Sequence, residues 1–140
     1  MKDRFKFRYI YNNKIYDVSA IDFNRSRGEI VSLDKRETLM SKLDLNNLIQ
    51  CTGLKDINGK LIYEGDIVSV KVETQDFFGE DEYYFENYKG EIIFIKGEIA
   101  IDVIDTTKHL ISLYYHAKDC EVIGNIYENK RLLKEVNNDK

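Results

Sequence analysis

The sequence predicts a mostly β protein, all-β to α+β, in which short strands build a small barrel or sandwich. Three observations predict it. Short runs of apolar and polar residues recur at a spacing of about 8–12 residues, the pattern of many brief paired strands. The punctuation between them is Gly and Asn: Asn12-Asn13, Asn58-Gly59, Gly65, Gly97 and Gly124-Asn125. Proline is absent from all 140 residues, so every residue after the first can offer an amide N–H to a ladder.

Residues 4–11 alternate cleanly. Arg4, Lys6 and Arg8 hold the even positions, and Phe5, Phe7, Tyr9 and Tyr11 the odd ones. Period two marks a half-buried strand. Asn tolerates left-handed angles, so Asn12-Asn13 predicts a hairpin into a second run, Ile15 to Phe23. Gly28 punctuates, and Glu29 to Leu33 reads as a third strand. Residues 34–48 differ. Asp34 with Glu37 three residues on follows the capping-box pattern, and Leu39, Met40, Leu43 and Leu48 have roughly helical spacing. A short helix and an irregular connection both fit this stretch.

From Ile49 the β signal returns. Asn58-Gly59 and Glu64-Gly65-Asp66 predict two tight turns around an extended Leu61 to Tyr63. Further strands are expected at Asp66 to Val72, Glu91 to Ile95, Glu98 to Val103, Leu110 to Tyr115 and Glu121 to Ile123. Asn125 then caps an expected helix carrying Ile126, Leu132, Leu133 and Val136. The organisation read from this is an N-terminal β hairpin region with a connecting segment (1–48), a barrel (49–124), and a C-terminal helix and tail (125–140).

Composition excludes several classes. The net charge of −4 argues against wholesale phosphate neutralisation. No apolar run approaches a membrane span, and no apolar stretch follows the basic start as in a secretory signal, so the expectation is a cytoplasmic protein. Cys51 and Cys120 show no CxxC spacing and read as reduced, packed thiols. His109 and His116 are the only histidines. They form no nucleophilic constellation, and His116-x3-Cys120 falls short of the three or four ligands that zinc requires. Phosphate-cradling glycine loops are also missing. The expectation is a non-enzymatic protein with no cofactor, no metal site and no catalytic residue.

Two charged stretches stand out. From Glu73 to Glu86 there are six carboxylates, no Lys or Arg, and interleaved Phe77, Phe78, Tyr83, Tyr84 and Phe85. This is a solvated loop or strand extension between two barrel strands, or an acidic interaction loop for a basic partner. At the N-terminus, Arg4, Lys6 and Arg8 among aromatics form either an ordinary amphipathic strand or a phosphate-facing, base-stacking surface. The opposite signs also allow the chain to pair with itself, basic strand to acidic loop.

Two blocks carry a resemblance. The first runs from Gln50 to Val68 and contains Thr52-Gly53-Leu54-Lys55-Asp56-Ile57-Asn58-Gly59 and Ile62-Tyr63-Glu64-Gly65-Asp66-Ile67-Val68; the second is Ile123-Gly124-Asn125-Ile126-Tyr127-Glu128-Asn129. With Phe5-Lys6-Phe7-Arg8, they resemble the YopX family of phage and prophage proteins. The resemblance implies a mostly β fold with a partly open, SH3-like barrel in the second half, and a bacterial host cell as the setting. It implies no catalytic residues. The shared block is read either as architecture or as a binding groove lined by Tyr63, Glu64, Asp66 and Tyr127. The expected function is a non-enzymatic phage accessory module that binds a protein partner, host or phage encoded, and forms homo-oligomers. A nucleic-acid-binding regulator and a self-assembling structural protein are the alternatives, with nucleic acid not favoured and no membrane involved.

Overall fold

In the computed structural model, which describes residues 2–75, 83–104, 110–129 and 131–132, Asn12 and Asn13 both adopt left-handed angles, φ 49° and 59°. They close the expected hairpin between β1 (Phe7–Tyr11) and β2 (Lys14–Asp22), with Tyr9 opposite Tyr16 and Tyr11 opposite Lys14. The chain returns as β3 (Arg27–Ser32) and β4 (Thr38–Lys42), then crosses to pair β5 (Leu48–Lys55) with the far side of β1. With β6 (Leu61–Tyr63) these strands form a six-stranded antiparallel sheet in the order β4-β3-β2-β1-β5-β6. Because β5 pairs β1, it ties residues 48–55 to the N-terminal strands.

The second sheet contains β7 (Asp66–Gln75), β8 (Tyr83–Ile95), β9 (Glu98–Val103), β10 (Leu110–Ser112) and β11 (Cys120–Asn125), in the order β10-β9-β8-β7-β11. A one-turn helix α1 (Leu113–His116) and a 3-10 turn (Ala117–Asp119) connect its two edges. The fold is mostly β, and the barrel expected over 49–124 is not closed. Among the described residues β10 pairs only β9, and β11 only β7. The sheets meet instead through apolar packing and a few backbone bonds: Gly65 N–H donates to Ile92 O at 2.9 Å, and Ile57 N–H to Cys120 O at 2.9 Å.

The largest core lies under the second sheet. Val68, Val70, Ile92, Ile101 and Leu113 are fully buried there, and Ile62 from β6 packs with them. Each such side chain contributes about 1.5–3 kcal/mol by leaving water. A smaller core gathers Tyr9, Tyr16, Ile30 and Leu43. Between them Ile49, Cys51 and Tyr63 form a third cluster.

β5 serves two of these cores because it bulges. Its register against β6 slips between the pairs Cys51↔Tyr63 and Lys55↔Leu61, and Gly53 sits in the bulge at φ +81°. Thr52 compensates the interrupted ladder: its hydroxyl donates to Ile62 O at 2.7 Å and accepts from Leu54 N–H at 3.1 Å. Ile49 and Cys51 before the bulge face the third cluster, whereas Leu54 after it packs on the large core.

Three expectations are corrected. Residues 34–48 hold no α-helix. Asp34 accepts from the Ser32 hydroxyl and from Arg36 N–H, capping a turn through left-handed Lys35 rather than a helix. The run beyond it is β4, where Leu39 faces the small core and Met40 is exposed. Asp44 then caps a single 3-10 turn, Leu45–Asn47. Second, the N-terminal strand starts at Phe7: Lys2–Phe5 is a 3-10 turn, leaving Phe5 78% exposed. Third, the extended run expected to Tyr115 ends at Ser112. At the described ends of the acidic stretch the strand-extension reading holds: β7 and β8 pair as far as Gln75 and Tyr83. At the C-terminus Asn125 Oδ1 accepts from Tyr127 and Glu128 N–H, the expected cap, and Arg131 and Leu132 are helical. Leu133 and Val136 lie outside the described residues.

Among the described residues no helix is long and apolar enough to cross a membrane.

Candidate anion-binding groove

The β1–β2 register sets Arg8 directly opposite Asp17, and the bulge in β5 carries Lys55 and the following turn over the same region. The result is a groove of about 590 Å³ whose walls include Lys6, Arg8, Asp17, Lys55, Lys60 and Tyr63. Asp3 completes its charged groups, so four cations face two carboxylates.

Arg8 is held from two sides. Its Nε lies 3.3 Å from Asp17 Oδ1, and its guanidinium stacks 4.0 Å above the Tyr63 ring centroid. Such a contact is worth about 0.5–2 kcal/mol and fixes the plane of the fork. Tyr63 beneath it is buried; desolvation pushes its phenol up to about 12, against the pull of Arg8, so it stays neutral. Lys6 Nζ pairs with Asp3 Oδ1 at 3.0 Å. Lys55 and Lys60 are exposed and have no ion pair among the described residues. Two unpaired ammonium groups beside a preoriented guanidinium suit carboxylate or phosphate oxygens.

Asp56 positions those lysines. Its Oδ1 accepts from Asn58 and Lys60 N–H, both at 2.9 Å, and its Oδ2 accepts from Val122 N–H at 2.9 Å. One buried carboxylate thus shapes the β5–β6 turn and fastens it to β11.

Asp66 lies behind the groove wall and is buried, its Oδ2 accepting from Tyr63 N–H at 2.8 Å. Desolvation pushes its carboxyl up from 3.8 to about 6, partly offset by that hydrogen bond. The native state therefore binds the proton more tightly than the unfolded chain. The stability this gives is fully present below pH 3.8 and is lost as pH rises through 6. Relative to Asp66→Asn, which keeps an acceptor for Tyr63 N–H and carries no titratable charge, the wild type should lose stability between pH 4 and 6. Chemical denaturation across that range checks it; a constant difference contradicts it.

The other expected site residues lie elsewhere. The Arg4 stem lies over Gly53, where an added Cβ would stand 2.4 Å from Arg4 Cγ. Arg4 joins a second groove of about 570 Å³ with Gln50, Phe94, Ser112, Tyr114 and Tyr115. Glu64 and Tyr127 line a smaller depression with Gly65 and Glu91; burial raises both carboxyls above their ordinary values. Tyr127 explains Gly65, at φ +84°, because a Cβ there would lie 2.7 Å from Tyr127 Cε2. Gly65→Ala should cost about 2 kcal/mol, from left-handed strain plus displacement of the ring. Gly59→Ala is the control: φ is +79° but nothing lies within 4 Å of the added carbon. Thermal unfolding of both separates the ring's contribution from backbone strain.

Thus Lys6, Arg8 and Tyr63 share one groove, Asp66 supports it, and Arg4, Glu64 and Tyr127 face other surfaces. Sequence reasoning missed Asp17, Lys55 and Lys60. The only signal for the two lysines was their place on either side of the Asp56-Ile57-Asn58-Gly59 turn. Both thiols are buried and raised by desolvation, Cys120 to about 12, which keeps them protonated at neutral pH. No three metal-ligating side chains converge among the described residues; His109 and residues 76–82 of the acidic stretch lie outside them.

The family model described as YopX protein matches residues 6–134. The chain belongs to the YopX family. The match spans every strand of both sheets, so the groove is built wholly from YopX-family residues apart from Asp3. No curated protein matches this YopX-family chain. Its fold is similar to the crystal structure of protein EF1440 from Enterococcus faecalis, with a TM-score of 0.51 and 25% identity over 91% of this chain and 96% of that one.

Proposed function

We propose that this YopX-family protein is a non-enzymatic interaction module of a phage or prophage, working in the bacterial cytoplasm, whose groove binds an acidic segment of a protein. The observation that carries this reading is the convergence of Lys6, Arg8, Lys55 and Lys60 on one groove, with the two outer lysines unpaired among the described residues. An open arrangement of two sheets suits such a role, since site residues on its surface can carry binding independently of the scaffold.

The groove offers more charge than aromatic surface: besides Tyr63, Phe7 is the one aromatic among its lining residues, and it is half-buried. Tyr63 is covered by Arg8, and Tyr9 is buried in the small core. Single-stranded nucleic acid binds through exposed aromatic faces as well as cations, so an acidic peptide is the better fit.

Fluorescence anisotropy on the full chain tests the reading. A labelled Glu-rich peptide should bind, and binding should weaken steeply with salt. Oligonucleotides, single- or double-stranded, should bind more weakly at the same ionic strength. Peptide binding absent at low salt overturns the proposal, as does tighter oligonucleotide binding.

A further inference from the structure

The groove holds more positive charge than one carboxylate can balance. Lys6, Arg8, Lys55 and Lys60 face Asp3 and Asp17, which leaves a surplus of two positive charges. The internal ion pairs occupy only part of the donors. Lys6 is engaged by Asp3 at 3.0 Å. Asp17 takes Arg8 through Nε at 3.3 Å, and among the described residues both Nη groups keep their donors for a ligand. Lys55 and Lys60 have no ion pair there. Three donor groups therefore remain: the end of the Arg8 fork and two ammonium groups.

Their charges reach the carboxylates around the groove. The Lys6 hydrogen bond holds the Asp3 carboxyl below its ordinary value, and the charge of Lys55 pulls the same way. Behind the wall, desolvation raises Asp66, while the Tyr63 hydrogen bond and the charges of Arg8 and Lys60 pull against it. Lys55 thus stands toward Asp3, and Lys60 shares the Asp66 side with Arg8.

A carboxylate offers two oxygens and one charge. A phosphate monoester offers three terminal oxygens and a charge of about −1.5 to −2 at neutral pH, its second pKa being about 6. It matches the remaining donors both in number of groups and in charge. Arg8 suits it further, because the Tyr63 ring 4.0 Å below fixes the plane of the guanidinium, and such a fork takes phosphate oxygens bidentately. The phosphodiesters of a nucleic acid carry one charge each and have no second ionisation, so they gain nothing from this match.

We propose that the groove recognises a phosphorylated hydroxyl side chain within the acidic protein segment it binds. This rests on the reading of the groove as an anion site for a protein and names the group that the site selects. Arg8 grips the phosphoryl oxygens with its fixed fork, and Lys55 and Lys60 close on them with flexible stems.

Anisotropy on the full chain tests this with three Glu-rich peptides that differ at one central position, phosphoserine, Glu or Ser. At about pH 7.5 and about 0.1 M salt the phosphoserine peptide should bind about tenfold tighter than the Glu peptide. At about pH 5 the phosphoryl group carries a single charge, and the two should bind alike. Asp66 titrates in the same range with the opposite effect, since its ionisation puts a negative charge behind the wall. Every group of the groove acts on both peptides, so the ratio of their affinities isolates the phosphate. Lys60→Gln removes one donor group but keeps the backbone N–H that Asp56 accepts, and should shrink the preference to about threefold or less. A Glu peptide that binds as tightly as the phosphoserine peptide at about pH 7.5 overturns the proposal and leaves the anion reading standing. A preference that persists unchanged at about pH 5, or in Lys60→Gln, also overturns it. A 5′-phosphorylated oligonucleotide that binds tighter than the phosphoserine peptide assigns the phosphate to a nucleic acid instead and overturns it too. If none of the three peptides binds, the anion reading falls with it.

Discussion

Replacing Asp56 by Ala should remove about 3–5 kcal/mol of folding free energy, the largest loss expected from a polar substitution among the described residues. Asp56 is 5% exposed, and its carboxylate accepts three backbone N–H groups. Two belong to its own turn. The third, on Val122, is 66 residues away, so the side chain joins the β5–β6 turn to β11. Alanine leaves these donors without an acceptor in a part-buried setting, and each stranded donor costs about 1–3 kcal/mol. Asp56→Asn distinguishes the local from the long-range bonds. Its remaining oxygen still serves Asn58 and Lys60, while its amide points a donor at the Val122 N–H. Asn should therefore lose less than Ala. Urea denaturation gives both values, and equal, small losses would contradict the account.

The second large effect concerns binding. Lys55→Glu with Lys60→Glu should weaken an acidic peptide about a hundredfold, or about 2.7 kcal/mol. Two attractive groups become repulsive, and Asp3 and Asp17 then face only Lys6 and Arg8. Both lysine side chains are exposed and unpaired among the described residues, so the same change should leave unfolding free energy within about 0.5 kcal/mol. A binding loss matched by an equal loss of stability would mean the lysines act through the fold.

Much of the fold is legible because particular residues leave the backbone little choice. Asn12-Asn13 and Asn58-Gly59 announce their turns, and the Gly65 turn follows from Glu64-Gly65-Asp66. Of the two readings open for 34–48, the helix fails for a local reason. Asp34 spends its carboxylate on a turn, and a tertiary partner, β3, draws Thr38–Lys42 into a ladder that intrinsic propensity does not favour. At Tyr83 to Lys89 a loop and a strand extension both fit the sequence, and pairing with β7 residue by residue decides for the strand.

The groove is half legible. Alternation places Lys6 and Arg8 together, but the same alternation wrongly adds Arg4. The chain enters β1 from a 3-10 turn, which sends the Arg4 stem over Gly53 to the other side of β5. Lys55 and Lys60 reach the groove through a bulge and a buried Asp, long-range features that no local pattern announces. Tyr63, expected to line a groove with Glu64, Asp66 and Tyr127, instead lines one beneath a partner 55 residues away, Arg8. The absence of proline takes on a definite meaning as well: the bulged β5 and the staple on Val122 both use backbone N–H groups at points where a proline would have none.

The most direct measurement is an amide and side-chain NMR titration of the full chain with a Glu-rich peptide. The account predicts shifts centred on Lys6, Arg8, Lys55, Lys60 and Tyr63, lost at high salt. Shifts centred instead on Arg4, Phe94, Tyr114 and Tyr115, or none at saturating peptide, would contradict it.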